Sequence, residues 1–167
     1  VDQMLAAMDQ NLSAYYDTME AKNIDVNEVL TLASLIEKEG ATDKDRKDIA
    51  SVFYNRLNQD MPLQSNIAIL YAQGQLGKKT TLKEDATIDT NIDSPYNIYK
   101  NTGLMPGPVD SPGVSAIEAA VNPSKTDYLY FVANVETGEV YFAKTYEEHT
   151  KNVEEHVNSK LTESSSN

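Results

Sequence analysis

Carboxylates are the main acid–base groups in this sequence, because residues for other common chemistries are absent or scarce. It has no cysteine, which excludes disulfides, zinc–thiolate sites and thiol nucleophiles. Its two histidines, His149 and His156, lie on a polar helical segment, so solvated surface positions are the leading interpretation, although His149 is near enough to a predicted hairpin to touch a site. We find no HExxH motif, calcium loop, GxSxG elbow, phosphate loop or dinucleotide fingerprint. Carboxylate chemistry remains, with tyrosine, asparagine and glutamine in support.

Glu39 is the carboxylate that its position distinguishes from the rest. Residues 26–39 have helical spacing, and at about 100° per residue Glu39 falls within the apolar stripe, whereas Glu37 falls at its polar border. A carboxylate that continues a buried stripe in a helix's last turn is desolvated and faces the negative end of the helix dipole. Both effects raise its pKa, which suits a general acid near neutral pH. The pattern leaves equally open that the helix end frays and Glu39 points to water.

Two loops have compositions that suit ligand binding or packing. Residues 103–113 are rich in glycine and proline, so this loop either caps a core or presents its backbone to a ligand. Residues 94–99 combine tyrosine with asparagine, and sugars bind such surfaces because their rings stack on aromatics while their hydroxyls need polar partners. A packing lid would have the same composition.

The elements that must position these residues are mostly helical, so we predict an α+β fold with one small antiparallel sheet. We expect a connector helix over 1–23, one domain over 24–161 and a polar tail over 162–167. The region from 74 to 113 is predicted as a long loop, and loops of that length are usually functional. Hydrophobic spacing and capping residues predict helices over 1–22, 26–39, 43–58, 66–71, 112–121 and 145–161, and a hairpin of strands 128–134 and 139–143.

Charge and hydropathy restrict the partners of the chain. It has 14 Lys and Arg against 26 Asp and Glu, a net charge of −12, which argues against nucleic acid and against electrostatic binding to anionic lipid. No segment approaches the roughly 20 apolar residues of a membrane span. The chain opens on Val1, so we expect a fragment or a processed form whose anchor lies outside it.

Several blocks of the sequence resemble, in the same order, the YceG-like family of endolytic murein transglycosylases. The resemblance covers roughly residues 24–157. Its blocks are LTLASLIEKE at 30–39, IASVFYNRL at 49–57, MPLQS at 61–65, YNIY at 96–99, GLMPGP at 103–108, Asn122-Pro123 with Lys125, and YLYFV at 128–132.

The resemblance implies a lysozyme-like cleft that cleaves peptidoglycan strands between N-acetylmuramic acid and N-acetylglucosamine. The products would end in 1,6-anhydro-muramic acid. The family's catalytic glutamate is the last residue of the EKE block, here Glu39, which would first donate a proton and then accept one. We expect sugar contacts from Gln64, Tyr96, Asn97, Tyr99 and Asn122, with no metal or cofactor. Family members also carry a membrane anchor and a LysM-like subdomain, and act outside the cell membrane beside penicillin-binding proteins.

Three departures from the family pattern keep other functions open. Gly40 replaces Ser or Thr, Asn66 with Ile67 replaces Asp-Pro, and Met105 replaces a proline. A first alternative is therefore a non-catalytic peptidoglycan-binding or scaffold module with a decayed site. A second is a hydrolytic muramidase with Asp93 or Asp110 as its base. Anhydro ends, unchanged strands and reducing ends would distinguish the three.

Overall fold

The computed structural model describes residue 6, residues 9–10 and residues 12–164. Most of the predicted connector helix lies outside these residues, and a turn at 14–15 interrupts the part that is described. The elements are α1 Tyr16–Lys22, α2 Val26–Glu39, α3 Asp43–Asn58, α4 Asn66–Ala72, α5 Leu82–Ala86, α6 Val114–Val121, β1 Tyr130–Ala133, β2 Val140–Ala143, α7 Tyr146–Val153, a π-helical turn Glu154–Asn158 and α8 Ser159–Ser164. The prediction of a mostly helical α+β fold is confirmed.

Helix α2 is the centre of the core and packs against α3, α4 and α6. Its apolar stripe is fully buried, including Leu32, Leu35 and Ile36. The alanines of α6, Ala116, Ala119 and Ala120, are also fully buried, and side chains this small let two helices approach closely. Because the stripe stays buried up to residue 36, the last turn of α2 is held against the rest of the protein.

The glycine- and proline-rich loop 103–113 caps this core. Met105 and Val109 are buried, and the Val109 amide donates to the Ser34 hydroxyl of α2 at 3.0 Å. The Gly113 amide, which precedes α6, donates to the Glu37 carboxylate at 2.9 Å. A carboxylate at the start of a helix is favourable, so Glu37 has a structural partner at the border of the stripe.

The predicted long loop 74–113 contains a helix that the sequence analysis missed. Helix α5 begins with a capping box, in which the Thr81 hydroxyl accepts from the Glu84 amide and the Glu84 carboxylate accepts from the Thr81 amide. That T-x-x-E pattern is readable in the sequence. The density of Gly, Pro, Asn and Asp around the helix hid it.

Arg56, near the end of α3, connects two chain segments that lie far apart in sequence. It is buried, its Nε donates to the Leu129 carbonyl at 2.6 Å, and its Nη1 donates to the Pro62 carbonyl at 2.6 Å. Its guanidinium also lies 4.9 Å from the centre of the Tyr130 ring. The guanidinium presents its donors in a rigid planar fork, so a single side chain satisfies both carbonyls in a fixed geometry.

The predicted hairpin is confirmed, with strands shorter than expected. Tyr130 pairs with Ala143 and Ala133 with Val140 in an antiparallel register. The turn is built on Asn134, whose side-chain oxygen accepts from the amides of Glu136 and Thr137 at 3.0 and 3.1 Å.

The C-terminal helical segment contains a π-helical turn that the hairpin stabilises. The Asn134 amide nitrogen donates to the His156 carbonyl at 3.1 Å, and the Tyr141 ring stacks on the His156 ring at 3.7 Å. Helix continues to Ser164, into the segment predicted as a polar tail. None of the helices in residues 12–164 has the length and apolar character of a membrane span.

We predict that Asn134→Ala lowers the free energy of unfolding by about 2 kcal/mol, because it removes three hydrogen bonds of a buried side chain. Asn134→Asp keeps the two turn bonds and loses the bond to His156, so it should fall between the wild type and alanine. Urea denaturation followed by circular dichroism measures the stability of both variants, since the chain has no tryptophan for fluorescence detection. Equal stability of wild type and Asn134→Ala would contradict this role.

Candidate active site

A cavity of about 540 Å³ opens where the end of α2 meets α3, the start of α4, α5 and the hairpin. Glu39, Gln64, Asp85, Tyr99 and His149 contribute to its lining. Arg56 and Phe131 lie on its walls, so the segments that Arg56 connects are also those that shape the cavity. The structure therefore brings three of the predicted site residues together, namely Glu39, Gln64 and Tyr99.

Glu39 is the last residue of α2, and it is half-buried and contributes to the cavity lining. Its pKa is raised from the ordinary 4.5 to about 7, mainly by desolvation. The Ser65 hydrogen bond lowers the pKa and the charge of Asp85 raises it, and both are smaller effects. The carboxyl is thus partly protonated at neutral pH. It can both give and take a proton there, as the position in the helical stripe predicted.

Ser65 supplies the hydroxyl beside this carboxyl. It is buried, donates to Glu39 Oε1 at 2.5 Å, and accepts from the Ile67 amide at 3.2 Å as the N-cap of α4. A side chain at Gly40 would have its Cβ 2.9 Å from Arg46 Cγ. Gly40 is thus closely packed against Arg46, and the hydroxyl beside the Glu39 carboxyl comes from Ser65 instead of residue 40.

Gln64 enters the cavity from a strained backbone. It is exposed, its φ is 58°, and its amide donates to the Ile98 carbonyl at 3.1 Å. The left-handed region is unfavourable for a residue with a Cβ, and such strain is concentrated at functional sites. The hydrogen bond to Ile98 holds this conformation and projects the amide side chain into the cavity.

Tyr99 joins a hydrogen-bonded chain that the sequence analysis did not foresee. Its hydroxyl donates to Asn66 Oδ1 at 2.6 Å, and Asn66 Nδ2 donates to Asp85 Oδ1 at 2.9 Å. Burial, followed by the charges of Glu39 and Asp85, raises the pKa of Tyr99, so it remains a neutral phenol. The pKa of Asp85 is raised, because burial outweighs the opposing hydrogen bond from Asn66. The capping box of α5 was the one sequence signal that could have pointed to Asp85.

Asn97 does not reach the cavity, contrary to the predicted sugar contact. It is fully buried, and its amide nitrogen donates to the carbonyls of Thr90 and Ile92 at 3.1 and 2.8 Å. Its side-chain oxygen accepts from the Tyr99 amide at 3.0 Å. Asn97 is occupied in folding the loop and in placing Tyr99, because three backbone groups there need partners.

Tyr96 and Asn122 also lie outside the cavity lining. The Tyr96 ring packs on Tyr71, with the ring centres 4.8 Å apart. Asn122 follows α6, where its side-chain oxygen accepts from Lys22 at 3.0 Å. The Tyr and Asn of 94–99 therefore divide into one cavity residue, Tyr99, and two packing residues.

His149 lines the cavity, so the surface interpretation was wrong for this residue. Its ring stacks on Tyr130 at 5.3 Å, and burial, then the charge of Arg56, lowers its pKa. Its Nδ1 is buried without a hydrogen-bond partner among the described residues. A neutral imidazole therefore faces the cavity from α7.

Neither Asp93 nor Asp110, the bases named for a muramidase, contributes to this lining. Asp110 pairs instead with Lys38 at 3.1 Å. Across the described residues there is no group of three or more histidine and carboxylate side chains that could hold a metal ion.

A model of the YceG-like family matches residues 1–155 of the chain. The chain belongs to the YceG-like family. This YceG-like chain is 68% identical over 161 residues to an endolytic murein transglycosylase of Streptococcus pneumoniae serotype 2, covering 96% of the chain and 29% of that protein. It is 46% identical over 164 residues to the Bacillus subtilis protein of the same name, covering 96% of the chain and 44% of the relative.

A crystal structure of a yceG-like protein from Listeria monocytogenes has the same fold, with a TM-score of 0.79 and 51% sequence identity. The match covers 90% of the YceG-like chain and 47% of the Listeria chain. The chain thus spans less than half the length of each of these relatives.

We predict that Glu39→Gln stabilises the folded protein at alkaline pH. The wild-type carboxyl has a pKa of about 7 when folded and near 4.5 when unfolded, so the folded state binds more protons between these values and its stability falls as pH rises through them. Glutamine does not titrate. Relative to wild type, the variant should therefore gain about 3 kcal/mol between pH 4 and pH 8, measured by urea denaturation. A difference that does not change with pH would contradict the raised pKa.

Proposed function

We propose that this chain is the catalytic region of an endolytic lytic transglycosylase that cleaves peptidoglycan strands between N-acetylmuramic acid and N-acetylglucosamine. The desolvated carboxyl of Glu39, in contact with the cavity and hydrogen-bonded to Ser65, is the observation that carries this proposal. The names of the pneumococcal and Bacillus relatives support the same activity. A cavity of about 540 Å³ has room for sugar rings beside the carboxyl.

The proposed mechanism uses Glu39 twice. Protonated Glu39 gives its proton to the glycosidic oxygen as the bond from that oxygen to C1 of the muramoyl residue breaks. The resulting carboxylate takes the proton from the 6-hydroxyl of the same residue while O6 forms a bond to C1. No water is added, and Glu39 ends protonated as it began. The nucleophile is already part of the substrate, so its approach costs little entropy.

Gln64 and Tyr99 are the proposed sugar-contact residues that the cavity retains. The Gln64 amide offers one acceptor and two donors to hydroxyl and acetamido groups. Tyr99 offers a phenol that remains neutral beside two carboxyl groups. The contacts are with uncharged groups, which agrees with a glycan substrate and a chain whose net charge is −12.

The setting of this activity is also part of the proposal. A peptidoglycan substrate places the reaction on the outer side of the cell membrane, with the anchor in a part of the protein beyond this sequence. Wall-synthesis enzymes such as penicillin-binding proteins are the proposed partners, because they produce the strands that would be cut.

We expect Glu39→Gln to lose at least about 1000-fold of the strand-cleaving activity, because the amide can neither donate nor accept the transferred proton. The matched control is Glu37→Gln, two residues earlier on α2, whose side chain still offers an oxygen to the Gly113 amide. Purified glycan strands digested with each protein are analysed by mass spectrometry.

Three outcomes of this digestion are distinguishable. Anhydro ends that disappear only in Glu39→Gln support the proposal. Reducing ends from the wild type would identify a hydrolase, and strands left intact by the wild type would identify a binding module. Equal turnover by wild type and Glu39→Gln would overturn the role of Glu39.

A further inference from the structure

Asp85 is a second carboxylate in the cavity that the proposed mechanism does not use. Its helix, α5, has five residues between a capping box and a loop, and it turns Asp85 towards the start of α4. There Asn66 Nδ2 donates to Asp85 Oδ1 at 2.9 Å and to the Asp85 carbonyl at 3.3 Å. One amide group therefore holds both the side chain and the backbone of Asp85.

The orientation of the Asn66 amide is set from its other end. The Tyr99 hydroxyl donates to Asn66 Oδ1 at 2.6 Å, which directs the NH2 group to Asp85. A carboxylate that accepts a hydrogen bond from an amide is stabilised in its charged form. The chain from Tyr99 through Asn66 thus opposes the burial that raises the pKa of Asp85.

The two carboxyl groups of the cavity have different surroundings. Burial raises the pKa of both, and that of Glu39 reaches about 7; Glu39 receives a hydroxyl from Ser65, whereas Asp85 receives an amide from Asn66. When environments divide two carboxyl groups in this way, one acts as a neutral acid and the other remains an anion.

The positive groups around the cavity leave the charge of Asp85 unpaired. The other charged or titratable residues in the lining are Lys38, Arg56, Lys79, Tyr99 and His149. Lys38 pairs with Asp110, and Arg56 donates to two carbonyls. Within residues 12–164, none of the ion pairs found includes Asp85. An anion without a cationic partner is available to a positive charge that forms in the cavity.

We propose that Asp85 is the second functional carboxylate of this site: its negative charge stabilises the positive charge that develops on the muramoyl ring as the glycosidic bond breaks. Asn66 and Tyr99 are its positioning residues. This inference rests on the proposed function and adds to it. Asp85 forms no bond and transfers no proton, so the atoms of the reaction balance as before.

The first test compares Asp85→Asn with Asp89→Asn on purified glycan strands. Asn is isosteric with Asp and removes only the charge, so kcat should fall on the order of 100-fold with little change in KM, since the charge acts mainly in the transition state. Asp89 is exposed, lies in the loop after α5, and accepts from the Asn91 amide, so its variant should keep wild-type kcat. Circular dichroism confirms that both variants are folded.

The second test follows the ionisation of Glu39 and does not depend on turnover. The charge of Asp85 raises the pKa of Glu39, so Asp85→Asn should move the carbon-13 titration of the Glu39 carboxyl to lower pH. The pH above which the remaining activity declines should fall by the same amount, because that decline follows the deprotonation of Glu39. Tyr99→Phe, which releases the Asn66 amide, should shift the titration in the same direction by a smaller amount.

The outcomes separate this inference from the function on which it rests. Wild-type kcat in Asp85→Asn, or an unmoved Glu39 titration, overturns the role of Asp85 even when Glu39→Gln is inactive. Reducing ends made by the wild type and lost in Asp85→Asn would make Asp85 a base for water and also overturn it. Intact strands with every protein would instead refute the proposed function.

Discussion

The burial of the apolar stripe of α2 is the constraint on which the rest of this structure depends. The stripe runs from Val29 to Ile36 and packs against α3 and α6, so the last turn of the helix has no freedom to leave the core. Glu39 occupies that turn, and its carboxyl is desolvated because its helix is anchored. The free energy of hydrophobic packing therefore offsets the cost of desolvating the Glu39 carboxyl.

The cavity in front of Glu39 is assembled from segments that have little structure of their own. Arg56 binds the carbonyls of Pro62 and of Leu129, the residue before β1, and Asn134 holds the hairpin turn against the C-terminal helix. Asn97 does the same for the loop that carries Tyr99. Each is a polar side chain that satisfies backbone groups in loops, where secondary structure cannot do so. These residues act on the site through the walls that they hold in place.

The local sequence pattern predicted the long helices and the hairpin correctly. It failed where the same composition fits two different structures or roles. The helices at 26–39 and 43–58 and the hairpin were predicted because their spacing is regular over many residues. Helix α5 was missed because five residues carry little periodicity. Asn97 and Asn122 were expected at sugars, yet an asparagine side chain binds backbone groups, as in Asn97, or charged side chains, as in Asn122, as readily as hydroxyls. The prediction that Gln64 contacts a sugar came from the family resemblance, whereas Tyr99 was indicated also by the composition of residues 94–99. The strained φ of Gln64 is visible only in three dimensions.

The sequence by itself narrowed the acid–base chemistry to carboxylates and assigned Glu39 to the apolar stripe of its helix. Without cysteine or a metal-binding motif, and with Glu39 at the end of an apolar stripe, carboxylate acid–base chemistry was the remaining choice, since helical periodicity assigns a side chain to a face. Only the tertiary structure decided which groups surround that carboxyl. Ser65, Asp85 and His149 come from distant positions, and no local pattern encodes a contact between residues that the fold alone brings together.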